Sequence, residues 1–211
     1  MATIIFDFDG TLADSFEVIA KAFYELTNRS QHIDDKEIAS LRGEPLLTIL
    51  HRLQIPWWRA PFLLMKGRRA ITKHMNEVKP YEDIVETIKL LYDSGYRLFI
   101  MSTNSAANVR HFLHTYNLDT YFVHIYGGVG LFGKARQLKV IIRHNRLKRE
   151  QCVYIGDEGR DIEAAHDAGI HSIAATWGFS TVQLLEELRP SGLANKPSDI
   201  VTILRSLRLL Q

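Results

Sequence analysis

An apolar run, Ile4-Ile5-Phe6, ends abruptly in Asp7-Phe8-Asp9-Gly10-Thr11-Leu12. Two carboxylates stand two residues apart, and a glycine and a hydroxyl follow at once. Ionised carboxylates this close repel each other, and a hard cation is the usual offset. Two carboxylates at the end of a rigid strand can also divide the work of nucleophile and of acid and base. Other apolar runs end in chemically loaded residues too. Leu98-Phe99-Ile100-Met101 ends at Ser102, and Cys152-Val153-Tyr154-Ile155 ends at Gly156-Asp157. Phe122-Val123-His124-Ile125-Tyr126 runs through a glycine-rich loop to Lys134. Taken singly, each has a plain reading: Asp157 as a turn residue, Ser102 as a helix cap, Lys134 as a solvated first-turn lysine. Taken together they supply oxygen ligands for magnesium, and an ammonium and a hydroxyl for phosphoryl oxygens.

Something must bring these groups to one place. Residues 3–7 read as a buried strand. From Asp14, read as an N-cap, Phe16, Ile19, Ala20, Phe23 and Leu26 recur at helical spacing. Residues 34–76 keep a helical pattern, broken by Gly43, Pro45, Pro56 and Pro61, with no strand signal. After Pro80 helices and strands alternate: a helix stopped by Gly95, then strands at 98–101, 122–126, 152–155 and 170–175 with helices between them. Two short helices close the chain. Such alternation predicts an α/β fold, a doubly wound parallel sheet with helices on both faces. An all-helical block, 14–80, interrupts it after the first strand, leaving 1–13 and 81–211 as the core. In open sheets of this kind ligands bind beyond the carboxyl ends of the strands.

Composition narrows the function. The 211 residues suffice for one good core, or one core with a small insert. A formal net charge of +2 and a pI near 8.6 are too mild for a nucleic-acid partner, and no basic block appears. Cys152 is the single cysteine and reads as a small buried hydrophobe. The first strand starts almost at Met1, which leaves no room for a signal peptide, and no apolar stretch approaches the roughly 20 residues of a membrane span. A cytoplasmic setting with no membrane partner is the expectation. The nine histidines have no metal-ligand spacing.

The loaded strand ends, in this order and spacing, resemble the haloacid dehalogenase (HAD) superfamily of phosphohydrolases over essentially the whole chain. Asp7-Phe8-Asp9-Gly10-Thr11 is similar to its DxDGT motif, Ser102 to its second, Lys134 to its third, and Gly156-Asp157-Glu158-Gly159-Arg160-Asp161 to its fourth, GDxxxD. The helical insert, Pro80-Tyr81 and Thr176-Trp177-Gly178-Phe179 resemble the phosphoglycolate-phosphatase-like branch with a small cap. The resemblance implies a Rossmann-like core and a magnesium-dependent phosphatase working through an aspartyl-phosphate. It makes Asp7 the nucleophile and Asp9 the acid and base. It places Mg2+ on Asp7, on the Asp9 backbone carbonyl and on Asp157, with Asp161 in support; Glu158, outside the family pattern, is a candidate extra ligand or supporting acceptor. Lys134 and Ser102 would grip the phosphoryl group, with Thr11 as a supporting hydroxyl. Ser102 is followed by Thr103-Asn104 where relatives often have Asn immediately, so Thr103 and Asn104 are second choices at the phosphate. Glu158 stands where many relatives have Ser or Thr, and an exposed helix carboxylate is its plainer reading.

Competing readings stay in view. Gly128 to Ala135 nearly matches GxxxxGK[ST], but Ala135 lacks the hydroxyl and the carboxylates would be idle. Asp9 disfavours a dehalogenase, since a departing halide needs no proton. A phosphomutase or pyrophosphatase uses the same core, and a non-catalytic interaction protein on this fold is the alternative from another class. The expected partner is a small phosphorylated metabolite, phosphoglycolate-like first. Arg42-Gly43 sits at a helix break where related caps carry a specificity loop, which makes Arg42 the candidate for an anionic group of the substrate. The apolar stretch 57–65 reads as cap core, with a cap-mediated homodimer as the alternative to a monomer.

Overall fold

The computed structural model describes residues 2–26, 48, 51, 71–130 and 133–209, with the backbone alone for 22–26. Arg42, Gly43 and the 57–65 stretch lie outside the described residues. In chain order the elements are β1 (Thr3–Phe6), β2 (Ala13–Asp14), α1 (Phe16–Leu26), β3 (Lys79–Pro80), α2 (Ile84–Asp93), β4 (Arg97–Met101), α3 (Ala106–Thr115), β5 (Phe122–Tyr126), α4 (Lys134–His144), β6 (Cys152–Gly156), α5 (Gly159–Ala168), β7 (His171–Ala175), α6 (Val182–Glu187), β8 (Gly192–Ala194) and α7 (Asp199–Ser206).

Six strands form one sheet in the order β5-β4-β1-β6-β7-β8. Every pairing in it is parallel. Strand β1 is central because its four residues, Thr-Ile-Ile-Phe, favour extended backbone and can be buried on both faces. Ile4 and Phe6 point into one core with Ile84, Ile88, Phe112 and Ile200 from α2, α3 and α7. Ile5 points the other way, toward Leu138, Ile141 and Ala165 from α4 and α5. The expected doubly wound core is present. The chain runs outward from β1 through β4 to β5, then crosses to β6 on the other side. The strand order therefore switches beside β1, where a crevice opens at the carboxyl ends.

Local signals set the elements that aim side chains into that crevice. Ser105 caps α3 by accepting from the Asn108 backbone N–H at 3.1 Å. Helix α5 ends at Gly169, in the left-handed conformation that a side chain would disfavour.

Two features differ from the sequence reading. Asp14 is no N-cap. It lies in β2, opposite Lys79 of β3, and the helix starts at Phe16. This two-residue antiparallel ribbon pairs the chain just before α1 with the chain just before α2. Strand β8 was not anticipated either: Gly192-Leu193-Ala194 is three residues long and is defined only by its pairing with β7. Among the described residues no helix is long and apolar enough to cross a membrane.

Ile5→Ala should destabilise the fold by about 2–5 kcal/mol, since Ile5 has no exposure and its cavity is walled by a rigid sheet. Urea unfolding checks this: the midpoint should fall while the slope stays unchanged.

Candidate active site

Asp7 is the first residue past β1. Its backbone N–H donates to the Ile155 carbonyl at 2.8 Å, which draws it toward the end of β6. Its Oδ1 accepts from the Phe8 backbone N–H at 2.8 Å, and its Oδ2 accepts from Lys134 Nζ at 2.6 Å. Lys134 opens α4 and is 2% exposed, so the solvated reading of this lysine is wrong here. The same ammonium donates to Asp161 Oδ1 at 2.5 Å. Asp161 also accepts from Tyr154 Oη at 3.2 Å and from the Glu158 backbone N–H at 3.1 Å. Burial, opposed by Lys134 and helped by the charge of Asp161, raises the Asp7 carboxyl to about 7. Burial alone would lower Lys134, but Asp161 and Asp7 outweigh it and hold the ammonium above its ordinary range.

Asp157 follows β6 and has no exposure. Thr11 Oγ1 donates to its Oδ1 and the Phe179 backbone N–H to its Oδ2, both at 2.8 Å. Two glycines close on it. A Cβ on Gly10, which has φ +79°, would lie 2.2 Å from Asp157 Oδ2, and one on Gly178 would lie 2.2 Å from Asp157 Cβ. Trp177 Nε1 donates to the Thr11 carbonyl at 3.1 Å and ties the loop after β7 to the loop after β1. Burial, then the charges of Glu158, Asp161 and Asp7, push the Asp157 carboxyl well up.

Asp9 is held by side chains from two loops. Ser15 Oγ donates to its Oδ1 at 2.8 Å, and Asn104 Nδ2 donates to Oδ1 at 3.2 Å and Oδ2 at 3.1 Å. Burial raises this carboxyl, while the Ser15 and Asn104 hydrogen bonds lower it. Ser102, fully buried at the end of β4, accepts from the Asn104 backbone N–H at 2.9 Å. Thr103 is half-buried.

The described residues singled out in the sequence thus converge at one end of the sheet; Arg42 and Gly43 lie outside the described residues. Asn104 addresses Asp9, a partner its sequence position did not suggest. Glu158 is half-buried and paired with Arg160, so it is not an exposed helix carboxylate. Ser15, Asn108, Tyr154 and the Phe179 N–H were missed. Two of them left a trace: Asn108 lies four residues before buried Phe112 on one helical stripe, and Tyr154 interrupts an apolar strand. Metal fit is testable from the donor set. Asp7, Glu158 and Asp161 each offer an oxygen, all within 4.8 Å of one another. Among the described residues five carboxylates (Asp7, Asp9, Asp157, Glu158 and Asp161) gather with two cations, Lys134 and Arg160. Oxygen donors with surplus negative charge suit a hard divalent cation.

Lys134→Met leaves two buried carboxylates without the cation they share. It should cost about 3–5 kcal/mol of stability at neutral pH in chelator. Chemical denaturation of the variant beside the native chain measures the loss.

The haloacid dehalogenase-like hydrolase family profile matches residues 4–175. The chain is 31% identical to a phosphoglycolate phosphatase of Synechococcus elongatus over 98% of its own length and 99% of the relative's. It is 26% identical to the pyrophosphatase PpaX of Bacillus mycoides, covering 96% of each. Among solved structures it is similar to a haloacid dehalogenase-like hydrolase from Streptococcus pneumoniae, with a TM-score of 0.79 and 26% identity over 96% of this chain and 97% of that one. With its loaded strand ends gathered beside β1, the chain belongs to the haloacid dehalogenase-like hydrolase family and is a phosphatase of it.

Proposed function

We propose that the protein hydrolyses a small phosphomonoester, phosphoglycolate-like first, through an aspartyl-phosphate on Asp7 and with the help of Mg2+. The observation that carries this reading is the Asp7 carboxylate held 2.6 Å from the buried Lys134 ammonium at the switch point of the sheet. A carboxylate fixed this way is aimed as a nucleophile, and the ammonium beside it offsets charge on the transferring phosphoryl group. In the first half-reaction Asp7 bonds phosphorus and Asp9 gives its proton to the leaving oxygen. In the second, Asp9 takes a proton from water as the water attacks phosphorus and frees Asp7. Ser102 joins Lys134 in the phosphate grip, and Thr11 acts on Asp157. Asp7, the Asp9 carbonyl and Asp157 would hold the magnesium, with Asp161 and Glu158 close by. When bound, the ion supplies countercharge to the phosphoryl oxygens.

The segment 14–80 is the cap in this reading, with 1–13 and 81–211 as the core, and the β2–β3 ribbon is its hinge. A cap over the crevice excludes water and meets the leaving group, with Arg42 as the contact for an anionic substrate. The single cysteine, free and buried, suits a cytoplasmic setting. The substrate reading is supported by the full-length likeness to a phosphoglycolate phosphatase, and the likeness to PpaX makes pyrophosphate the second candidate.

A phosphate-release panel tests this. Phosphoglycolate should be hydrolysed faster than nucleoside monophosphates, sugar phosphates or pyrophosphate, and chelation should abolish turnover. Asp7→Asn should lower kcat at least about a thousandfold. Magnesium-dependent turnover that survives Asp7→Asn sinks the mechanism, and a preference for pyrophosphate sinks the substrate.

A further inference from the structure

Asp9 is connected to more than its immediate neighbours. Asn104 Oδ1 accepts from the Ser105 backbone N–H at 2.8 Å and from Asn108 Nδ2 at 2.9 Å. A backbone N–H can only donate, so the accepting atom of Asn104 is its carbonyl oxygen, and its amide nitrogen must face Asp9. Asn108 has likewise turned its amide nitrogen to Asn104, which leaves its own carbonyl oxygen outward. That oxygen accepts from Thr72 Oγ1 at 3.0 Å. Every donor therefore points the same way, from Thr72 through Asn108 and Asn104 to the Asp9 carboxylate.

Thr72 stands on the segment that returns from the insert. Two further contacts dock that segment along α3 and its end. Asn76 Oδ1 pairs with His111 Nε2 at 2.6 Å, and Tyr116 Oη donates to the Val78 carbonyl at 3.0 Å. Residues 72, 76 and 78 thus follow 108, 111 and 116 in register. Asn108 is 3% exposed and sits in the first turn of α3, where its backbone N–H is already taken by the Ser105 cap. A purely apolar stripe would pack there at lower desolvation cost, so the buried amide calls for a reason.

We propose that Asn108 is a positioning residue for Asp9, and that Thr72 sets Asn108, so that the proton-transfer group is aimed only while the segment returning from the insert is docked on α3. This rests on the reading of Asp9 as acid and base. The relay moves no proton along its length. It fixes the plane of the Asn104 amide, and that amide grips both oxygens of Asp9. Undocking the return segment removes the Thr72 hydroxyl, frees Asn108 to rotate and leaves the Asn104 side-chain carbonyl oxygen to the Ser105 N–H alone. Proton transfer is then tied to the position of the insert, and the aspartyl-phosphate is attacked by water only when the segment is in place.

The test separates the two half-reactions with p-nitrophenyl phosphate. Nitrophenolate leaves unprotonated near neutral pH, so the first half needs no acid, whereas water attack still needs Asp9 as base. Nitrophenolate release in a single turnover, with enzyme in excess, reads the first half, and steady-state kcat reads both. Asn108→Ala should keep the single-turnover rate within about twofold and lower steady-state kcat roughly 10- to 100-fold, with phosphoenzyme accumulating. Thr72→Val, which keeps the shape and loses the donor, should show the same pattern more weakly. Asp9→Asn is the reference and should show it most strongly. If Asn108→Ala lowers both rates together, its role is merely structural and the proposal falls. Unchanged rates in Asn108→Ala, beside a defective Asp9→Asn, overturn the relay alone. A native-like Asp9→Asn overturns the acid–base reading itself.

Discussion

One buried ammonium holds this site together. Lys134 spans Asp7 at 2.6 Å and Asp161 at 2.5 Å, with almost no solvent around any of the three. Two carboxylates in a low-dielectric interior repel each other strongly, and each loses its hydration. The lysine between them makes the arrangement tolerable and fixes the angle of both. Much of the local architecture serves this clamp. Helix α4 begins at Lys134 itself, β1 ends one residue before Asp7, and the Glu158 N–H holds the second oxygen of Asp161.

Asp157 obeys a different constraint. Burial, with the charges of Glu158, Asp161 and Asp7, pushes its carboxyl well up, although both its oxygens accept a hydrogen bond. Gly10 and Gly178 approach it more closely than a side chain would allow. The first and last loops of the site are thereby packed onto one carboxylate, with Trp177 bridging them at the Thr11 carbonyl. Among the described residues the site gathers more carboxylates than cations, an arrangement that a divalent cation would balance.

Legibility in the sequence divided along physical lines. Groups fixed by strand termination could be read: Asp7, Ser102 and Asp157 end apolar runs, and a sheet of parallel strands places such ends together. Lys134 could be located but not its burial, because a first-turn lysine looks the same whether it meets solvent or two carboxylates from elsewhere in the chain. Asn104 was placed at the phosphate by its neighbours in sequence. Its orientation is decided instead by Ser105 and Asn108, across a helix turn. Strand β8 and the β2–β3 ribbon left no pattern, since two or three residues cannot show a period and are defined by what they pair with.

The clamp and the cation make one claim: the site is complete only when a divalent ion joins Lys134 in balancing its carboxylates. Thermal unfolding with and without saturating Mg2+, in the native chain and in Asp157→Asn, tests it most directly. A ligand that binds only the folded state raises the midpoint in proportion to its affinity. The account predicts a clear rise of several degrees in the native chain and little or none in Asp157→Asn. The same rise in both proteins, or none in the native chain, would contradict it.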